Sequence, residues 1–218
     1  MIRRLFLRTL SRTVSRTVAI FLIGTTASLG AVSTSHANAV NEAAADSYIA
    51  AMIGDMESLL AVDNGDLEAR TQAVTSLLDN YFDFPGITRF SAGPYWRAAS
   101  EAEKAEYELV IRQIIIGTVV RNFDQLKGLS YAPKSTTARG KKLVRVTGEF
   151  SDATGARPNV MVHWRVVTRP DAAPKVLDIL IENISMLDTQ KQENVAIIRK
   201  NKGSFAALIT AMREKLAD

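Results

Sequence analysis

The chain has 218 residues, with 27 Lys and Arg against 23 Asp and Glu and no cysteine. Residues 1–37 hold five arginines and no acid; without them, 22 basic residues face 23 acidic ones. That balance excludes the strongly basic domain typical of nucleic-acid binders. The lack of cysteine excludes disulfides and thiol nucleophiles, so stability must come from a packed core, which the 181 residues after 37 are enough to build.

The N-terminus reads as a secretory signal at residues 1–37, followed by one domain at 38–218. Arg3, Arg4, Arg8, Arg12 and Arg16 precede the apolar run "VAIFLIG" and the small-residue segment "STSHANA". This is the order of charge, short apolar stretch and cleavage site that export requires. Cleavage after Ala37 or Ala39 fits. Gly24, Thr25 and Thr26 break the apolar run too early for it to span a bilayer. "RRLFLR" is close to a twin-arginine export signal, with Ile2 where Ser or Thr is usual, and a general export signal can carry the same letters. Both routes lead out of the cytoplasm.

Helices come next. Tyr48, Ile49, Met52, Ile53, Met56, Leu59 and Leu60 recur at three-and-four spacing and predict a helix over 43–60. "VDNGD" ends it, and Val74, Leu77 and Leu78 mark a second helix over 67–80. The segment "DFPGITRFSAGPYW", with two prolines and two glycines, reads as an irregular connector pinned by Phe84, Phe90, Tyr95 and Trp96. Asp83 is expected to pair with Arg89 or Arg97. Ser100 and Glu103 form a capping box that opens a long helix over 101–126. Its apolar stripe is wide enough to face more than one neighbour.

After Gly128 the period changes to two. "LVRVTGEF" sets Val144, Val146 and Phe150 against Arg145, Thr147 and Glu149. "VMVHWRVV" groups Val160, Val162, Trp164 and Val166. "KVLDILIENIS" groups Leu177, Ile179 and Ile181, and a weaker strand is expected over 129–136. Two helices over 188–200 and 204–216 close the chain. This order gives the α+β class: about four antiparallel strands packed against a bundle of helices.

No catalytic kit stands out. His163 is the one histidine beyond residue 37, in mid-strand, and no nucleophile elbow, phosphate loop or dinucleotide fingerprint occurs. No ligand set for a metal is present and no cofactor is expected. Asp178 interrupts an apolar strand. It reads as an acid paired with an arginine or facing water, or as a base in an NTF2-like cone. The surplus is apolar: the long helix, the sheet face and Met52, Met56 and Met161 either fill a core or leave it partly open for an apolar ligand.

The segment "YFDFPGITRFSAGPYWRAASEAEKAEY" resembles the signature of the MlaC-like, or toluene-tolerance, family of periplasmic phospholipid carriers. Asp83, Phe84, Thr88, Arg89, Phe90, Gly93, Tyr95, Trp96 and Arg97 carry it. Lys175, Val176, Asp178, Ser185 and Gly203 extend it over nearly the whole chain after the signal. Three positions depart from the pattern: Pro174 for a tryptophan, Asn183 for a glycine, and Thr189-Gln190 for a Tyr-Arg pair.

The resemblance implies a non-enzymatic, monomeric carrier with acyl chains in an enclosed apolar cavity and the headgroup near solvent. It implies docking to an outer-membrane lipoprotein–porin complex and to an inner-membrane ABC transporter bearing an MCE-domain subunit, in the service of outer-membrane asymmetry. Ile111, Ile115, Val119, Val146, Val162, Trp164 and Ile179 are expected to line or border the cavity. With the Tyr-Arg pair replaced, little headgroup preference is expected. The loop "KSTTARGKK" is either a solvated loop or an electrostatic guide toward acidic headgroups or acidic partner faces. An enzyme acting through Asp178 or His163 on a small apolar substrate, and an adaptor that binds only proteins, are the rival classes.

Overall fold

The computed structural model describes residues 29–217, and side chains from 38 to 216. Most of the expected signal therefore lies outside the described residues. Helix α1 runs Leu29–Val62, well before the predicted start at 43; no proline interrupts the small-residue stretch ahead of it. Both expected cleavage positions lie within α1. Asp66 caps α2 (Leu67–Tyr81) by accepting from the backbone N–H groups of Glu68 and Ala69.

The connector is helical, contrary to the sequence reading. Asp83 caps α3 (Phe84–Ser91), accepting from Gly86 N–H at 3.2 Å, and a 3₁₀ turn follows over Gly93–Arg97. Pro85 falls in the first turn, where a missing N–H costs nothing. Asp83 pairs not with Arg89 or Arg97 but with Arg169 at 2.8 Å. The long helix, α4, spans Glu101–Arg121 and opens on the expected capping box. It stops at Asn122, five residues early as judged by the predicted end at 126. Asn122 leaves helical geometry and donates its side-chain amide to the Thr118 carbonyl at 2.8 Å, and the short α5 (Phe123–Leu126) restarts beyond it.

One antiparallel sheet follows in the order β1-β2-β3-β4-β5. Its strands are β1 (Leu129–Ala138), β2 (Leu143–Asp152), β3 (Val160–Arg169), β4 (Ala172–Ile181) and the two-residue β5 (Ile184–Ser185). The predicted weak strand is thus a full-length edge, and a fifth short strand joins the four expected. The chain ends in α6 (Met186–Lys200) and α7 (Phe205–Ala217). Among the described residues no helix is long and apolar enough to cross a membrane.

Glu182 and Asn183 both have positive φ in the two-residue turn from β4 to β5. Asn tolerates that region better than most side chains, which explains how it can stand where glycine would be the default. Pro174 sits at a register irregularity between β3 and β4, where no ladder N–H is required.

Three apolar clusters hold these elements together. Ala45, Ile49, Met52 and Ile53 of α1 pack across one sheet face against Val144, Val146, Val162, Trp164, Val166 and Val176. Ile87, Tyr107, Ile111, Leu187, Ile198, Leu208 and Met212 join α3, α4, α6 and α7. Val74, Leu78, Ile116, Val120 and Phe123 join α2, α4 and α5. Phe82, at the end of α2, touches all three.

A β-bulge positions the seam between the clusters. Arg165 pairs with Asp178, but the next residue, Val166, pairs with Val176, so Leu177 is the extra residue. The bulge reverses the alternation along β4. Val176 and Ile179 turn toward α1, while Leu177 turns into the helical cluster. The predicted common face of Leu177, Ile179 and Ile181 is therefore split, and Ile181 is exposed.

Ion pairs fasten the ends. Asp63, at the exit of α1, meets Arg70 at 2.8 Å and Lys127 at 3.0 Å. Asp152 meets Arg157 at 2.8 Å, and Arg157 donates to the carbonyls of Gln125 and Lys127, tying the β2–β3 turn to the end of α5. The Arg70 hydrogen bond, with Lys127 second, lowers the Asp63 pKa from 3.8 to about 2. The Arg157 hydrogen bond, with the Thr154 backbone N–H second, does the same for Asp152. Because both pKa values are depressed in the folded state, their stabilisation is complete above about pH 4 and is lost as pH falls through about 2. The urea midpoint should therefore fall across that window. An Asp63→Asn, Asp152→Asn double variant should show a smaller fall, and an equal one would remove the assignment.

Candidate functional site

An apolar groove of about 340 Å³ opens where the three clusters meet. Helix α4 contributes Ile111, Ile114, Ile115 and Val119 at helical spacing, the consequence of the wide stripe seen in the sequence. The bulged strand β4 contributes Leu177 and Ile179, α3 contributes Ile87, and α6 contributes Met186 and Leu187; Phe82 closes the inner end. Thr118, Met186, Thr189 and Glu193 are exposed, so this is an open groove and not the enclosed cavity expected. Its polar rim is Thr118, Thr189, Gln190 and Glu193, with no cation among its lining residues.

Of the seven residues named from the sequence, Ile111, Ile115, Val119 and Ile179 come together in the groove wall. Val146, Val162 and Trp164 lie instead on the sheet face under α1, where they are buried. Phe82, Ile87, Leu177, Met186 and Leu187 were not singled out. Leu177 is the one of these that lies on a predicted strand, and the bulge that re-aims it has no local sequence signal.

Asp178, in the groove wall, is 4 % exposed. It accepts from Arg165 at 2.7 Å, from the Ser185 hydroxyl at 2.7 Å and from the Leu187 backbone N–H at 2.9 Å. Ser185 in turn caps α6 by accepting from Asp188 N–H. The acid is thus the arginine-paired one of the sequence readings, and its work is to hold the start of α6 against β4. His163 lies between the Thr147 hydroxyl at 2.9 Å and Asn183 Oδ1 at 3.2 Å, on the sheet face away from α1. Neither side chain offers a free atom to a bound molecule in the groove. Among the described residues no group of His, Cys, Asp and Glu could hold a metal ion.

A buried polar knot locks the helices behind the groove. Tyr107 is fully buried, and its hydroxyl lies 2.7 Å from the Ser91 hydroxyl. Asn194 donates to the Tyr107 oxygen at 2.7 Å and to the Ser91 carbonyl at 3.1 Å, and accepts from Gln190 at the groove rim. Burial, the largest cause, raises the Tyr107 pKa, so the phenol stays a neutral donor. One rim residue, Gln190, is thereby tied to the core.

The basic loop expected between β1 and β2 divides. Lys134 pairs with Glu149 at 3.4 Å, while Arg139, Lys141 and Lys142 are exposed.

Comparison with known proteins adds to this geometry. The protein-family model described as MlaC protein matches residues 46–214. No curated relative matches. A solved phospholipid-binding protein from Ralstonia solanacearum, in complex with a phospholipid, superposes with a TM-score of 0.69 at 21% identity. The match covers 79% of this chain and 96% of that one. At that identity the likeness concerns the fold.

Proposed function

This chain belongs to the MlaC family, and from that premise we propose that it is a periplasmic phospholipid carrier. Its acyl chains would lie against Ile111, Ile115, Val119, Leu177, Ile179 and Leu187, with the headgroup toward solvent. A diacyl lipid exposes roughly 30 chain methylenes, each costing about 0.8 kcal/mol in water, so crossing an aqueous compartment unaided costs on the order of 24 kcal/mol. An apolar groove with a polar rim offsets part of that cost without covalent chemistry.

The observation that carries the reading is the groove itself, lined by apolar side chains from α3, α4, β4 and α6 and rimmed by hydroxyl, amide and carboxylate groups. The solved protein of like fold holds a phospholipid, which supports the choice of ligand class. The saturated surroundings of Asp178 and His163 support a carrier over an enzyme. The proposal extends to transfer between an outer-membrane lipoprotein–porin complex and an inner-membrane ABC transporter with an MCE-domain subunit, maintaining outer-membrane asymmetry.

The test is mass analysis of an organic extract of the purified protein, before and after incubation with phospholipid vesicles. About one phospholipid per chain is expected. An extract empty of lipid in both cases would overturn the proposal in favour of a protein-only adaptor.

A further inference from the structure

A second hollow, of about 690 Å³, lies on the other side of Leu177 from the groove. It is built by the signature segment. Arg89 and Phe90 of α3, Pro94, Trp96 and Arg97 of the 3₁₀ turn, Arg169 of β3 and Lys191 of α6 line it. Two glycines permit the approach of these elements. A Cβ on Gly86 would meet Leu177 Cδ1 at 3.0 Å, and Gly93, at φ +61°, lets α6 bring Val195 and Lys191 against the turn.

The charge of this cleft is one-sided. Asp83 is its one acid, and Arg169 already neutralises it at 2.8 Å. Lys191 sits 4.7 Å from the Phe90 ring centre and has no carboxylate partner among the described residues. Arg89 and Arg97 are exposed and make no hydrogen bond or ion pair with any described residue. Three cations from three elements thus converge unneutralised on a walled space, in a chain whose charge beyond residue 37 is nearly balanced. Two guanidinium groups and an ammonium beside an aromatic wall suit a phosphate ester, whose oxygens accept bidentate Arg hydrogen bonds. The groove rim, by contrast, offers a phosphate only Glu193 and neutral groups.

We propose that this cleft is a phosphate subsite, holding the phosphodiester of a phospholipid headgroup beside the acyl groove across Leu177. It rests on the carrier reading, and it concerns the phosphate that all phospholipids share, so it is compatible with the little headgroup preference expected from the sequence.

The experiment compares a phospholipid with a diacylglycerol of identical chains, which lacks the phosphate, in competition for the full-length protein. The unaltered protein should prefer the phospholipid at least tenfold, about 1.4 kcal/mol. An Arg89→Gln, Arg97→Gln double variant should reduce the preference to within about twofold while diacylglycerol binding holds. Added salt should have the same effect in the unaltered protein. Arg199→Gln, an exposed change farther along α6, should do nothing. Glycerol phosphate, titrated while Trp96 is followed by its indole NMR signal, separates the sources. A shift that needs Arg89 and Arg97 in the absence of lipid assigns the subsite to soluble phosphate esters as well. A preference that survives the double variant, with no Arg-dependent shift, overturns the proposal, as does a Trp96 response to acidic peptides alone. Failure of both lipids to bind would overturn the carrier reading and this subsite with it; diacylglycerol binding without phosphate preference would remove the subsite alone.

Discussion

Replacing Asp178 by alanine should destabilise the protein by about 3 kcal/mol, because it strips the acceptor from a half-buried cation while leaving the cation in place. Three donors lose their partner: Arg165, the Ser185 hydroxyl and the Leu187 N–H. Arg165 keeps a longer contact to Asp188 at 3.5 Å and is 24% exposed, which places the loss at the low end of the range for broken buried pairs. For a domain of this size that is a fall of about 6–12 °C in Tm. The charge partner can be removed as well. An Asp178→Leu, Arg165→Met double variant should recover much of the loss, since a well-packed apolar pair often matches a buried ion pair. Chemical denaturation of the single and double variants closes the cycle. A single-variant loss below about 1 kcal/mol would mean that the acid is not the anchor of α6. Loss of turnover on some small apolar substrate by Asp178→Asn, with stability and lipid content intact, would instead restore the enzyme reading.

The same residue shows how far the sequence could be read. A charged residue inside an apolar strand announces itself, and its pairing with an arginine was one of the explicit readings. The identity of the arginine was not legible, because Arg165 stands on the neighbouring strand and only the register brings the two opposite each other. Local features transferred well. The capping box at Ser100 and Glu103, the helical periods and the alternation in β2 and β3 depend on residues a few positions apart.

What failed depends on longer range or on rare geometry. The bulge at Leu177 inverts half of β4 without any glycine or proline to mark it. Pro85 reads as a breaker but sits at the one place in a helix that accepts it. The basic cleft gathers residues from 83 to 191, and no window of sequence contains enough of them to reveal the convergence. That Val146, Val162 and Trp164 share one apolar face is legible in the alternation, but which helix covers that face is set at long range. The structure gives the sheet α1 on one face and keeps the groove at the seam with α4 and α6.

Ile115→Asp should have the largest effect on lipid. Ile115 stands in the groove wall, half-buried, and packs against two of the three clusters. A carboxylate there has no cation among the groove-lining residues to pair with. Covering it with an acyl chain would strip its water, at an effective cost of several kcal/mol per ion. The chain would either leave the charge hydrated, and lose its own burial, or not bind. Phospholipid content in the extract should therefore drop more than tenfold, a change of at least about 1.4 kcal/mol. Ile115→Leu keeps the volume and should bind as the unaltered protein does. Ile49→Ala separates the two sides of the sheet. It empties space under α1, should cost about 2–5 kcal/mol of stability, and should leave lipid content unchanged in the folded fraction. If Ile115→Asp folds and retains lipid at the unaltered level while Ile49→Ala loses it, the chains lie under α1 with Val146, Val162 and Trp164, and the groove between α4 and β4 is not their site.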